Sequence, residues 1–351
     1  MKVTFGSKSF SQDENSVLII AEAGVNHDGD ISKAFKLIDI AFDAGADAIK
    51  FQAFKTEKLI KTGVQKAKYQ INIGSSNESQ FEMLKSLELK SNEFKRLKDY
   101  SESKGLLFLT TPFDIESLET LIDIDLLAYK VASTDTTNLP FLIQIAEKTN
   151  VPILLSTGMC YFEEVKKAIS ILSENNKQIV LMQCTSDYPT DDSEINLNVL
   201  NTYRNFENCL LGFSDHSIGY EASLMAIAMG SRVIEKHFTV NSSDPGPDHA
   251  ASLEPEELSS FVKKIRRAEK MLGSQKKEPT ISEIDNRKKL QKSLVAKRII
   301  KEGEPFTLEN IVSMRIGVDG LSPIYFEKLL ANKASKDYLE GESLLIEEIR
   351  K

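Results

Sequence analysis

The chain has 351 residues, 41% apolar and 27% charged, which suits one barrel-sized domain plus a smaller one, with an ample core. Its 44 basic and 52 acidic residues give a formal charge of -8, which opposes nonspecific binding to nucleic acid or anionic lipid while leaving a local basic pocket for a small anion compatible. Cys160, Cys184 and Cys209 are odd in number and form no Cys-x-x-Cys pair, and the chain shows neither a signal-peptide segment nor a run of about 18 apolar residues, so a reduced, cytoplasmic setting is expected.

In chain order one phrase repeats: a short apolar run, a polar residue just after it, then a helical pattern. The runs are Val17 to Ile20, Ala46 to Ile49, Leu106 to Leu109, Leu126 to Val131, Ile153 to Leu155, Ile179 to Met182, Leu210 to Phe213 and Arg232 to Ile234. Runs this short and continuously apolar fit strands buried on both faces, as in an all-parallel sheet. Helices are expected over Ile31 to Ala44, Asn92 to Ser103 and Tyr161 to Leu172, the first two stopped by Gly45 and Gly105. The count and spacing predict an α/β fold, a (β/α)8 TIM barrel over residues 1–273. A doubly wound open sheet is the alternative, but no Gly-x-Gly-x-x-Gly follows the first run. Residues 59–89, between the second and third runs, are too polar at their centre for core and are suitably placed to lie over the barrel mouth.

After Gly273 the phrase stops. Residues 274–292 are highly charged and read as a linker, and residues 293–351 as a small domain of short strands and single-turn helices, with the turn Lys301-Glu302-Gly303-Glu304 repeated in kind at Leu339-Glu340-Gly341-Glu342.

Chemistry gathers where the runs end. In order these ends offer Glu22, Lys50 and Gln52, Thr110 and Thr111, Lys130 with Ser133 and Asp135, Ser156 and Thr157, Gln183 with Thr185 and Ser186, Ser214 and His216, and Lys236 with His237. The carboxyl edge of parallel strands is where ligands bind, so lysines and hydroxyls there can cradle a phosphate or carboxylate, though any one Ser or Thr can equally cap the following helix. His216 and His237 end neighbouring strands and can converge on one divalent cation; two histidines without a third ligand nearby are also compatible with isolated loop-mouth residues.

The ordered phrases AEAGVNHDGD, DAIKFQAF, TTPFD, YKVAS, LLSTGM, QCTSDYP, GFSDHS, EKHFT and DPGPDHAASLEP resemble the N-acetylneuraminate (sialic acid) synthase family, bacterial sialic or legionaminic acid type. The tail resembles that family's C-terminal antifreeze-like (SAF) domain, of β-clip type. The resemblance covers nearly the whole chain from about Val17 onward. It implies a homodimeric transferase that condenses phosphoenolpyruvate with an N-acetylated mannose-type sugar and water, giving a nine-carbon 2-keto acid and phosphate, with Mn2+ or Mg2+ and with each small domain reaching over its partner's barrel.

Carried over by position, His216 and His237 match the metal ligands, and Glu22 the glutamate beside the metal and water. Lys50, Thr111, Lys130, Ser133, Ser156, Ser186 and Ser214 match contacts to phosphoenolpyruvate. Gln52, Asp135, Tyr188 and Asp248 match contacts to the sugar, and Arg315 the arginine that enters the neighbouring subunit's site. Asp135 stands where other members carry glutamate, Ser186 where some carry asparagine, Gln291 where some are aromatic, and Ile316 interrupts the usual Arg-Pro; these departures bear on the sugar's substituents more than on the reaction. His27 and His249 are left as local hydrogen-bonding or substrate-shell groups. The competing readings are a metal-dependent aldolase that uses pyruvate and a noncatalytic binding protein. Within the family, the choice lies between N-acetylmannosamine and 2,4-diacetamido-2,4,6-trideoxymannose, with a lean to the latter.

Overall fold

A computed structural model describes residues 1–66, 79–174 and 178–349. The chain divides into two compact units, Met1–Gly273 and Ser274–Lys351. In the first, eight parallel strands close into a barrel in chain order: β3 (Leu18–Gly24), β4 (Ala48–Ala53), β5 (Leu107–Pro112), β6 (Tyr129–Val131), β7 (Ile153–Ser156), β8 (Ile179–Gln183), β9 (Cys209–Asp215) and β10 (Val233–His237), the last pairing with the first. The expected TIM barrel is therefore present. Most strands run one to several residues past the apolar runs, because the polar residues that follow alternate faces and only every second one enters the barrel.

Helices wrap the strands. Helix α1 (Ile31–Ala44) starts at Asp30, whose carboxylate accepts from the Ser32 amide, and stops at Gly45, which adopts φ 80° in the left-handed region that a residue with a Cβ enters at a cost. The β4–β5 connection carries α2 (Thr56–Leu59), α3 (Gln80–Leu87) and α4 (Ser91–Ser103); then come α5 (Ile115–Ile122), α6 (Leu139–Lys148), α7 (Phe162–Ser173), α8 (Val199–Tyr203), α9 (Glu221–Ala228) and α10 (Pro255–Leu272). Of the segment expected over the mouth, residues 67–78 lie outside the described residues, while Leu59, Ile60, Gln80, Met83 and Leu84 do line the cavity at the strands' carboxyl ends.

Two apolar layers result. Ile19, Ile49, Phe108, Val131, Leu155, Leu181, Leu211 and Ile234 point outward under the helices, and Leu18, Ile20, Leu109, Leu154, Val180, Leu210 and Val233 fill the barrel. A hairpin that the apolar runs do not announce, β1 (Lys2–Phe5) with β2 (Lys8–Ser11), closes the amino-terminal end of the barrel. Its Val3, Phe5 and Phe10 join the interior cluster, the two rings meeting edge to face at 6.1 Å.

The second unit has its own core, built on Leu294, Ile300, Phe306, Ile311, Leu329, Tyr338 and Leu344. The charged connector is not featureless: it forms α11 (Ile281–Leu290), with no buried residue. Strands β11 (Ser293–Ala296) and β12 (Ile311–Met314) pair antiparallel, and α12 (Phe326–Leu330) follows. The two Glu-Gly-Glu turns share one construction. Gly303 and Gly341 take φ 82° and 79°, and the glutamate after each accepts from the amide three residues earlier, Glu304 from Lys301 at 3.0 Å and Glu342 from Leu339 at 2.8 Å. Among the described residues, no helix is long and apolar enough to cross a membrane.

Candidate active site

Strand alternation decides which polar residues enter the barrel. Residues two beyond the last inward apolar side chain form the next layer, so Leu18 and Ile20 lead to Glu22, Ala48 to Lys50 and Gln52, Leu109 to Thr111, Ala128 to Lys130, Leu154 to Ser156, Gly212 to Ser214 and Val233 to Glu235 and His237. A cavity of about 630 Å³ opens above this layer, and every residue matched to a metal or substrate contact except Arg315 lines it. Arg315 lies in the second unit, exposed, just after β12. Thr110, Gln183 and Lys236, expected at the same mouth, fall on the opposite face of their strands. Lys236 is buried there against Asp215, at 3.1 Å, and the Ser217 carbonyl.

Glu235 was not singled out in the sequence, yet it sits at the centre of the charge layer. Lys130 Nζ lies 2.9 and 3.2 Å from its two oxygens, Ser214 donates to it at 2.9 Å, and Lys50 Nζ is 3.8 Å away. Lys50 is held 2.8 Å from Glu22 Oε2 and donates to Thr111 at 3.0 Å. The two carboxylates diverge. Burial pushes Glu22 up to about 7, more than Lys50 offsets, with Glu235 adding repulsion. Burial opposes the charge on Glu235 too, but Lys130 and Lys50 together outweigh it and hold that carboxyl well below the usual range. The signal that could have revealed Glu235 is its position two residues before His237 on one strand.

Around this layer stand hydroxyls. Ser133, in a 3-10 turn over Ser133–Asp135, accepts from the Gly158 amide at 2.9 Å and lies 3.1 Å from Cys184 Sγ. The buried Ser156 Oγ has no partner within the protein. A Cβ on Gly158 would come within 2.3 Å of Ser186 Oγ and 3.0 Å of Ser133 Oγ, so glycine there keeps the serines converged on open space. Asp135 accepts from Asn138 Nδ2 at 2.9 Å, and burial raises it above the ordinary carboxylate range.

His216 and His237 face each other one layer higher, ring centroids 5.6 Å apart and planes at 60°. Burial keeps both neutral, His216 lowered to about 4 and His237 well below its usual range, the latter also by neighbouring His216 and Lys50. His216 Nδ1 donates to the Thr185 carbonyl at 2.6 Å, which leaves a lone pair on Nε2. Ser214 Oγ, 3.3 Å from that nitrogen, has one hydrogen and gives it to the nearer Glu235. His237 Nδ1 is buried without a hydrogen-bond partner, and Asp248 Oδ2 is 3.8 Å from it. Two neutral imidazoles with uncommitted lone pairs and an adjacent carboxylate are a donor set that fits a divalent cation. The Tyr188 ring stacks on His216 at 4.2 Å and meets His237 edge on at 5.6 Å.

The loop that carries Asp248 is anchored by the two remaining histidine neighbourhoods. His249 Nε2 meets Asp28 Oδ1 at 2.9 Å and its Nδ1 meets Thr239 at 2.6 Å, while Lys33 bridges Asp28 and Asp244 at 2.5 and 2.6 Å. Asp28, Asp244 and His249 bring ligand atoms within 4.8 Å of one another, but the Lys33 ammonium already bridges the two carboxylates. His27 is buried, kept neutral by burial at about 4, and accepts from the Gly29 amide at 3.0 Å. Asp248 itself is raised to about 6 by burial, against the pull of His249 and Lys50. Gly24, at φ 54°, keeps this corner open: a Cβ there would lie 3.2 Å from Asp248 Oδ2, 3.3 Å from Gln52 Nε2 and 3.4 Å from Glu22 Oε1.

A family model described as the NeuB family matches residues 37–277. An N,N'-diacetyllegionaminic acid synthase of Campylobacter jejuni is 43% identical over 93% of this chain and 98% of its own length. A protein of the same description from Legionella pneumophila is 38% identical over 94% of each chain. Among solved structures, an N-acetylneuraminic acid (sialic acid) synthetase from Leptospira borgpetersenii in complex with citrate superposes with a TM-score of 0.72 at 36% identity, covering 82% of this chain and 96% of that one.

Two predictions concern the charge layer. Glu235→Gln leaves Lys130 buried without its anion and lowers barrel stability by about 3–5 kcal/mol, measured by chemical denaturation; a loss under about 1 kcal/mol refutes the pairing. Glu22 binds its proton more tightly folded than unfolded, so its cost is absent below its ordinary value of 4.5 and grows as pH rises toward 7. Glu22→Gln should therefore stabilise the protein at pH 8 relative to pH 5 by up to about 3 kcal/mol, and an equal effect at both pH values contradicts the assignment.

Proposed function

Because the chain belongs to the NeuB family, we propose that it is a nonulosonic acid synthase joining phosphoenolpyruvate and water to an N-acetylated mannose-type sugar, with release of phosphate. The sugar assigned is 2,4-diacetamido-2,4,6-trideoxymannose, in keeping with the legionaminic-type relatives, with N-acetylmannosamine as the alternative in keeping with the sialic-type structure. The observation that carries this reading is the buried layer of Lys50 and Lys130 among hydroxyls, one layer below two uncharged imidazoles.

The roles follow from the chemistry. Phosphoenolpyruvate brings a carboxylate and a phosphate, and Lys50, Lys130, Thr111, Ser133, Ser156, Ser186 and Ser214 supply the charge-assisted donors that fix both ends. Holding both ends aims C3 at the sugar's C1, which is electrophilic as the open-chain aldehyde. His216 and His237 would hold Mn2+ or Mg2+, whose contribution is to polarise the aldehyde oxygen, typically worth several kcal/mol. Bond formation from C3 to C1 leaves positive charge at C2, and water adds there. Glu22, poised near neutrality by burial, takes the water's proton. Collapse of the tetrahedral carbon breaks the C2–O bond, giving the 2-keto acid and phosphate. Gln52, Asp135, Tyr188 and Asp248 hold the sugar. The second unit is read as an antifreeze-like (SAF) module, and its Arg315 is assigned to the acetamido group in the cavity of a second copy of the chain, within a homodimer.

A pyruvate-using aldolase needs no phosphate cradle and releases no phosphate. With phosphoenolpyruvate, Mn2+ and either sugar, phosphate should appear in step with the keto acid, faster with the diacetamido sugar, and His237→Ala should cut turnover by more than about 100-fold. No phosphate with either sugar sinks the proposal. For the shared site, Arg315→Ala and Lys50→Ala proteins, each inactive, should regain activity on mixing; two silent parents giving a silent mixture would rule out exchange between copies.

A further inference from the structure

The cavity has a second, different wall. Besides the hydroxyl-bearing residues, Val25, Phe54, Leu59, Met83, Leu84 and Phe113 line the cavity and present carbon to it. Three of them, Leu59, Met83 and Leu84, come from α2 and α3, the insert between β4 and β5 that closing the barrel does not require. Within this patch the work is divided. Val25, Phe54, Met83 and Leu87 are buried and hold the insert on the barrel, whereas Leu59 and Leu84 are only partly buried while lining the cavity. Gln80 is the one polar side chain that the described part of α3 adds to the lining.

We propose, resting on the function given above, that this wall receives the C6 end of the sugar and selects a methyl group there over a hydroxymethyl group. The direction of the substrate follows from the chemistry. C1 must reach the layer of Lys50 and Lys130 beside His216 and His237, so the far end of the carbon chain points out toward the mouth, where the insert lies. A methyl group against Leu59 and Leu84 leaves water for carbon, which is favourable. A hydroxyl in the same place gives up its bonds to water and meets no partner from either leucine. Asp248, Gln52 and Tyr188 remain for the hydroxyl and acetamido groups nearer C1, and Gln80 is the one amide that the described part of the insert sets beside the leucines.

The test compares two sugars that differ only at C6, 2,4-diacetamido-2,4,6-trideoxymannose and its 6-hydroxy counterpart, with the full-length protein, phosphoenolpyruvate and Mn2+. The wild type should favour the 6-deoxy sugar in kcat/KM by at least about 10-fold, most of it in KM. Leu84→Gln and Leu59→Gln, on separate helices and each checked for a cooperative melt, should bring that ratio to within about 3-fold of unity, while Leu84→Met keeps it. Equal use of both sugars by the wild type overturns the inference, as does an equal loss on both sugars in both glutamine variants, which marks the wall as packing only. Phosphate release with neither sugar is a separate result: it removes the synthase reading, and this inference with it.

Discussion

Two ammoniums and two carboxyls are enclosed in the upper barrel, and the arrangement of the site depends on how they share charge. Isolated buried ions cost several kcal/mol each, so Lys50 and Lys130 persist inside only because Glu22, Glu235 and Thr111 satisfy them. The sharing is unequal: Glu235 stays ionised between both lysines, and Glu22 is left near neutrality. With one carboxylate firmly charged against two cations, the layer keeps surplus positive charge for an anionic ligand. The same geometry leaves Glu22 able to exchange a proton near pH 7.

The rest of the barrel keeps that layer in place. Below it the interior is wholly apolar, filled by the strands and sealed by Phe5 and Phe10. Above it, the loop carrying Asp248 is pinned through His249, Asp28 and Lys33, so a carboxylate that faces His237 is fixed by contacts made well outside the cavity. Glycine has a specific use at two points, Gly24 and Gly158, where a single Cβ would fill the space between converging polar groups.

Much of this was legible in the sequence, because continuous apolar runs mark strands buried on both faces and glycines mark where helices stop; α1 ends at Gly45 as its pattern predicts. The histidines stood out because they are rare. What the runs concealed was parity. Reading every polar residue at a run's end as facing the mouth admitted Lys236, which points outward to Asp215, and passed over Glu235, one residue earlier and inward. The amino-terminal hairpin went unannounced because four-residue strands with one or two apolar side chains give too weak an alternation to distinguish from a polar leader. The apolar wall depends on which side of α3 faces the cavity, and that is set by tertiary packing rather than by its sequence alone.

The hairpin at the amino-terminal end has an electrostatic consequence. Its rings extend the apolar packing that lies below Lys50 and Lys130, so those lysines face the cavity at the strands' carboxyl ends with packed carbon beneath them. Carbon beneath and open space above make the surroundings of the two ammoniums lopsided, so their field is felt mainly through the open end, and a small anion is drawn toward them from that one side.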